Sequence, residues 1–482
     1  MNQKPTRTLG VFSWSLIENL SGTGINFLVS LILARLLGPD VYGIIAVALI
    51  FVALSNVLID GGFSNSLIRR KVVSSEDYNT VFVINVSIAV FIYGLFFLLA
   101  PFIASFYSNA QLTEVIRYIC ITVIIGSFSI VPKVWLTRNL DFKRQAIASI
   151  LSSTLGAGVG IMLVFANWGI WALVAQQLVR QSVYTIILLL IVPQRPRFSY
   201  SSASATNLFG YGSRILLSGI IDSLYNNLYL FIIGKMFSPR QLGLYSRSEQ
   251  FSSLISVNFS IVLQKVTLPI FTKHLSNSLS SLQQFYIRLT HNVVFLSLVI
   301  MLSICAVANN LILVILGNAW IESTLYLRIL CFSALFQPLI IINQNILQVF
   351  GYSQLFLKIE VFKKSLSLVA IASCFFYDMT TLLWLMVIIA AISFVINGYF
   401  AIKYLPNINH KQQMSSFIII CSCAILPSIS AYFLGTILVT KALYTLIIQL
   451  LLIIVCSGLI YLLLRRIGVL NNPQQISSMS DE

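Results

Sequence analysis

Leu33-Ala34-Arg35-Leu36-Leu37-Gly38-Pro39-Asp40-Val41-Tyr42-Gly43 falls into register with Ile233-Gly234-Lys235-Met236-Phe237-Ser238-Pro239-Arg240-Gln241-Leu242-Gly243 when the chain is shifted by 200 positions. Each copy reads as a small residue, a base, two apolar residues, a small residue, Pro, and Gly four residues on. Each also follows the first long apolar run of its half. Pro and Gly end a helix and build a tight connection to the next, while the base marks the water boundary. One such hairpin is commonplace among helical proteins. Two at matching positions in matching halves indicate an internal repeat.

Around these hairpins the chain is apolar from end to end. Hydrophobic residues make up 58% of the 482, charged residues 9%, and the mean hydropathy is +0.92. A soluble domain carries about 25% charged residues, so most of this surface faces lipid. Apolar runs of helix-spanning length occur at approximately 10–34, 41–59, 79–103, 115–135, 146–166, 170–192, 208–236, 249–271, 290–316, 323–350, 355–377, 380–404, 415–437 and 441–464. The expected fold is therefore all-α and integral to a membrane, with about fourteen transmembrane helices. Six spans per copy is an even number, so the halves insert the same way up, as a parallel pseudo-twofold repeat around a central cavity. The expected divisions are a six-helix lobe over 1–194, a cytoplasmic linker at 195–206 and a second six-helix lobe over 207–404. A cytoplasmic loop at 405–414, an extra helix pair over 415–466 and a polar cytoplasmic tail at 467–482 complete the chain.

The formal charge of +16 follows topology rather than nucleic acid. Bases gather before the first span (Lys4, Arg7) and after the second (Arg69, Arg70, Lys71), fourth (Arg138, Lys143, Arg144), sixth (Arg195, Arg197), twelfth (Lys403, Lys411) and last (Arg465, Arg466). The alternate connections are poor in bases, with Asn167 to Gly169 uncharged. This positive-inside pattern places both termini in the cytoplasm and lets the excess charge attract anionic membrane lipid. No cleavable signal peptide is expected, and all seven cysteines lie in apolar runs, as buried hydrophobes rather than disulfide partners or a metal clamp.

Ionised groups at mid-membrane cost about 3 kcal/mol each on insertion scales, so each needs a partner, a wet cavity or a function. Candidate anion-binding bases are Arg247, Lys265, Arg328, Lys363 and Lys364. Candidate ion-coupling acids or charge partners are Glu18, Asp60, Asp222 and Glu360, with Glu360 and Lys364 one turn apart. Asn19, Asn226, Asn227, Asn343 and Asn345 are candidate polar lining, and Arg180 is a further base within the sixth span. Asn and Gln also join neighbouring helices, and long basic side chains snorkel to the interface. The set describes a mainly cationic lumen suited to an anionic substrate.

Trp14-Ser15-Leu16-Ile17-Glu18-Asn19, the Ala34–Pro39 hairpin, Asp60-Gly61-Gly62-Phe63, Asp77-Tyr78-Asn79-Thr80, Arg138-Asn139-Leu140-Asp141-Phe142 and Gly243-Leu244-Tyr245-Ser246-Arg247 resemble bacterial polysaccharide exporters. The resemblance covers essentially the whole chain. It points to the Wzx-type flippases similar to the colanic acid exporter, within the multidrug/oligosaccharidyl-lipid/polysaccharide superfamily. It implies a twelve-helix core plus a helix pair in the bacterial inner membrane. It also implies transfer of an undecaprenyl-diphosphate-linked oligosaccharide from the cytoplasmic to the periplasmic leaflet by alternating access. Antiport of Na+ or H+ would drive the cycle, with no other cofactor or metal. Partners on this reading are the lipid-linked oligosaccharide, membrane lipid, a polysaccharide polymerase and chain-length machinery. A multidrug cation antiporter of the same fold is the nearest alternative, and the surplus of bases counts against it. A membrane polymerase or ligase needs a large hydrophilic loop that the sequence lacks. The three histidines, His274, His291 and His410, are expected at solvated loops or helix ends rather than in a catalytic grouping.

Overall fold

The computed structural model describes residues 22, 24–405, 410–438 and 442–470, with side chains omitted at 207, 209–215 and 410–413. The described residues form helices and connections without a strand. In chain order the helices are α1 (Gly24–Leu37), α2 (Pro39–Asp60), α3 (Phe63–Arg69), α4 (Ser75–Phe106), α5 (Gln111–Ile119), α6 (Ile121–Arg138), α7 (Phe142–Phe165) and α8 (Ile170–Ile191). They continue as α9 (Ser202–Met236), α10 (Pro239–Asn277), α11 (Leu279–Ile315), α12 (Ser323–Val349), α13 (Ser353–Ser373), α14 (Met379–Lys403), α15 (His410–Ile437) and α16 (Ala442–Arg466).

Twelve helices among the described residues are long and apolar enough to span a membrane, against fourteen expected. The first expected span, 10–34, lies largely outside the described residues. The eleventh is present as α13, but Lys358, Glu360, Lys363 and Lys364 put four charges into 21 residues and dilute its apolar length. The fourth span is α5 and α6 in succession, interrupted at Cys120. The eighth is longer than its apolar run implies: α10 has 39 residues, about 58 Å at 1.5 Å per residue, nearly twice the hydrocarbon thickness.

The chain divides into two compact units, Met1–Gly243 and Leu244–Glu482. The sequence repeat puts a linker at 195–206, but α9 beyond it packs within the first unit. Lys235 donates to the Phe106 carbonyl and lies 4.5 Å above the Phe106 ring, and the Tyr107 hydroxyl donates to the Phe231 carbonyl at 3.3 Å. Burial pushes the Tyr107 phenol up, which keeps it protonated as that donor.

Polar residues of the first unit's motifs hold the connections together. Ser74 and Asp77 make a reciprocal capping box at the start of α4, and Arg70 pairs with Asp77 at 3.4 Å. Asn79 accepts from the Arg197 amide at 2.8 Å and Thr80 from the Ser201 amide at 3.1 Å, so the linker lies along the first turns of α4. Arg138 donates to the carbonyls of Leu67, Ile68 and Arg70, tying α6 to the turn after α3. That turn follows a corner in which Gly61 and Gly62 both have positive φ, 53° and 72°, a conformation a Cβ disfavours.

The two repeat hairpins meet each other. A Cβ on Gly43 would overlap the Pro239 carbonyl, and a Cβ on Gly243 would overlap the Pro39 carbonyl. This reciprocal crossing is what a twofold-related pair produces, and it accounts for Gly at the same place in both copies.

In the second unit α11 is the central post. Its flank carries an apolar core that includes Phe271, Tyr286, Val294, Ile342 and Ile346. The extra pair, α15 and α16, is fastened to it by a polar bridge. Asn310 donates to Gln449 at 2.9 Å, and Gln449 donates to the Ala431 carbonyl at 2.8 Å.

Candidate functional site

Three consecutive residues of α12 organise the polar interior of the second unit. Successive helix positions diverge by about 100°, so Asn343, Gln344 and Asn345 cannot share a neighbour. Each instead meets a different helix. Asn343 accepts from the Tyr286 hydroxyl of α11 at 2.7 Å. Gln344 donates to Glu360 of α13 at 2.7 Å, and Asn345 donates to Thr267 and to the Gln264 carbonyl of α10. Asn343 and Asn345 are 3% and 1% exposed, which makes them joints between helices, the second of the roles open to them from sequence.

Glu360 is the node of this network. Its Oε1 accepts from Gln344 and from Lys363 Nζ at 3.0 Å, with the two charged side chains about a quarter exposed (21% and 25%). Lys363 at i+3 makes this pair, and Lys364, the base expected one turn on, is half-buried. One amide and one ammonium thus hold this carboxylate while leaving it residual access to water.

Arg247 is buried, and its guanidinium donates to Gln250 one turn on. Glu249, between them in sequence, is half-buried. Sequence reading missed Glu249 because it stands at the very edge of the apolar run 249–271, next to the polar opening of α10. Lys265 is exposed. Arg328 donates Nε to the Cys305 carbonyl at 3.3 Å and lies 5.6 Å from the Tyr432 ring. It opens into a cavity of about 340 Å³ shared with Leu302, Ser428 and Phe433. Arg328 therefore belongs with α11 and α15, not with Glu360 and Lys363.

In the first unit Asp60 accepts from Ser64 across the Gly61–Gly62 corner, and Lys133 places a positive charge near it. Asp222 and Asn226 are exposed on α9, and Asn227 donates to the Ser223 carbonyl at 2.8 Å. Glu18 and Asn19 lie outside the described residues. Arg180 donates to Gln177 at 2.8 Å on α8, while Gln181 donates to Thr185 at 3.4 Å and Thr185 to the Ile125 carbonyl at 3.0 Å. The spacing of Gln177, Arg180, Gln181 and Thr185 at three and four residues was the available signal for this stripe. His291, expected at a solvated helix end, is 1% exposed within α11, because that helix begins at Leu279, well before its apolar run.

Apolar helices of spanning length, two compact helical units and polar groups set between helices define a multi-pass membrane protein with a transporter fold. The chain belongs to the polysaccharide biosynthesis protein family, whose model matches residues 32–325. It is 22% identical to the teichuronic acid biosynthesis protein TuaB of Bacillus subtilis (strain 168), over 75% of each chain. It is 23% identical to the lipopolysaccharide biosynthesis protein WzxC of Escherichia coli (strain K12), over 67% of this chain and 66% of that one. The succinoglycan biosynthesis transport protein ExoT of Rhizobium meliloti (strain 1021) is 25% identical over 65% of this chain and 63% of its own. Among solved structures, the lipid II flippase MurJ in an inward closed conformation matches 94% of this chain and 99% of its own, with a TM-score of 0.72 at 11% identity. An inward-facing multidrug resistance MATE transporter of the MOP superfamily matches 82% and 99%, with a TM-score of 0.59 at 14% identity.

Proposed function

We propose that the chain is a flippase that carries an undecaprenyl-diphosphate-linked oligosaccharide from the cytoplasmic to the periplasmic leaflet of the bacterial inner membrane, for surface polysaccharide synthesis. The observation that carries this reading is the seating of buried or half-buried basic side chains in helices of spanning length: Arg180 in α8, Arg247 near the start of α10 and Arg328 in α12. Bases kept at that cost suit a diphosphate, which takes charge-assisted hydrogen bonds from guanidinium groups. Relatives named for polysaccharide biosynthesis and transport support the same substrate class. A drug-cation antiporter would be expected to present acids in place of these bases.

On this reading both termini are cytoplasmic, and the prenyl tail stays in lipid while the sugars cross in a wet path. Antiport of Na+ or H+ supplies the drive, and Glu360 is the acid best placed to exchange the ion, since Gln344 and Lys363 fix it while leaving it partly accessible. A polymerase and its chain-length partner would take the product on the far side. The test is deletion of the gene followed by lipid analysis. The expected result is accumulation of the lipid-linked oligosaccharide on the cytoplasmic leaflet with loss of surface polysaccharide. Unchanged lipid intermediates combined with heightened sensitivity to cationic dyes would overturn the reading in favour of drug export.

A further inference from the structure

A cavity of about 690 Å³ in the first unit lies apart from every residue considered above. It is bounded by α4, α5, the turn between α7 and α8, and α8. Its walls are aromatic: Tyr93, Phe97, Tyr118, Trp168 and Trp171. Tyr118 and Trp171 meet edge to face, their centroids 5.2 Å apart at 90°. Glu114 and Arg117 enter the same space from one face of α5, three residues apart. Arg117 is oriented twice over, with its guanidinium 4.3 Å above the Phe97 ring and Nε donating to the Phe97 carbonyl at 3.3 Å. No hydrogen bond among the described residues engages the Trp168 and Trp171 indole N–H groups or the Tyr93 and Tyr118 hydroxyls.

We infer that this cavity is a saccharide-binding site on the periplasmic face of the first unit, distinct from the translocation path. The side assignment rests on the orientation proposed above, in which the base-poor connections 107–110 and 166–169 face the periplasm. The chemistry selects the ligand. Flat aromatic faces with polarised rings pack on the C–H faces of pyranoses, and indole and phenol groups at the edge donate to ring hydroxyls. An acid beside a base suits vicinal hydroxyls, which both donate and accept. A phosphate would meet repulsion from Glu114, which disfavours a phospholipid headgroup. The volume lies within the range of small-molecule sites, about 300–1000 Å³, and accommodates a short oligosaccharide. Interfacial belt aromatics face lipid around a whole circumference. Here rings from three helices and a turn converge on one open cavity, lined also by Arg117 and the exposed Glu114. Such a site would hold the sugar portion of the product after it emerges, before it is handed on.

The test is a fluorescence titration of the purified full-length protein in neutral-lipid nanodiscs. The probe is the water-soluble oligosaccharide released by mild acid from the host strain's own lipid-linked intermediate. The expected result is a saturable change in tryptophan emission that is lost in the Trp168→Phe, Trp171→Phe double variant. Glu114→Gln should weaken binding about tenfold while leaving thermal stability unchanged, as loss of one charge-assisted hydrogen bond implies. Arg117→Gln should weaken it about as much with a small loss of stability, since the Phe97 carbonyl and ring lose their cation. Absence of saturable binding, or binding indifferent to both single substitutions, overturns the inference. So does an emission change produced equally by phosphatidylglycerol in the nanodisc without saccharide, which would assign the cavity to a lipid headgroup. The gene-deletion lipid analysis separates the two readings. Accumulated intermediate with no saccharide binding removes the cavity site alone, whereas unchanged intermediates remove the flippase reading whatever the titration shows.

Discussion

The crossing of Pro39–Gly43 with Pro239–Gly243 and the network around Glu360 are both places where helices meet, and they are built in opposite ways. At the crossing two glycines let backbone approach backbone, and neither position has room for a methyl group. In the network a single helix extends three amides to three neighbours, and every contact is made at the end of a side chain. Backbone fit of the first kind admits no substitute. Hydrogen bonding of the second kind tolerates any group with the right donor and length. The difference separates a fixed point of the fold from a part whose side chains can change partner.

The largest expected effect follows from the crossing. Gly43→Leu or Gly243→Leu should abolish complementation of polysaccharide export and lower the melting temperature of the purified protein. Gly43→Ala should still destabilise by about 1–3 kcal/mol, the usual cost of overpacking. Normal melting and export in both Leu variants would show that the crossing is not a fixed point.

The network should respond more selectively. Glu360→Ala strands Gln344 and Lys363, and a buried polar group left without its partner costs about 1–3 kcal/mol. Glu360→Gln keeps an acceptor for Gln344 but removes the charge. It should melt close to the parent and yet lose ion-dependent transport, read as lipid-intermediate accumulation in cells. Full transport by Glu360→Gln would take Glu360 out of the coupling role and leave it as a joint.

Between these extremes stands Arg138, which gathers the carbonyls of Leu67, Ile68 and Arg70. Arg138→Ala should destabilise by about 1–3 kcal/mol, since those carbonyls lose a charged donor. It should reduce export only as far as it reduces folded protein, measured by comparing transport with membrane abundance.

Much of this organisation was legible in the sequence. Apolar run lengths located the spans, and the 200-residue register identified the two hairpins that cross. Short motifs such as Asp77-Tyr78-Asn79-Thr80 marked the joints that hold the linker, although their role as joints emerges only from the bonds to Arg197 and Ser201. The partners of buried polar groups were not legible, because hydropathy says that a residue is inside and not which helix it faces. Asn343, Gln344 and Asn345 read as one polar patch and resolve into three directions. Arg328 read as a lumen base and packs beside Cys305 and Tyr432, a neighbour set by how the extra pair docks on α11. Glu360 pairs with Lys363 at i+3, a position nearly equivalent to i+4 on a helix, so spacing alone does not single it out.

The smallest expected effect returns to the crossing and divides it by mechanism. Asp40 and Arg240 occupy equivalent repeat positions and pair across it at 3.8 Å, with side chains 65% and 41% exposed. A pair so open to water contributes about 0.2–1 kcal/mol at most and is screened at physiological salt. Asp40→Asn, Arg240→Gln and the double variant should therefore melt within a degree or two of one another, whereas Gly43→Ala a few residues away does not. A coupling well above that range in the double-mutant cycle, fading with added salt, would recast the crossing as a charge lock. The small coupling expected here leaves its stability to the two glycines and the carbonyls they admit.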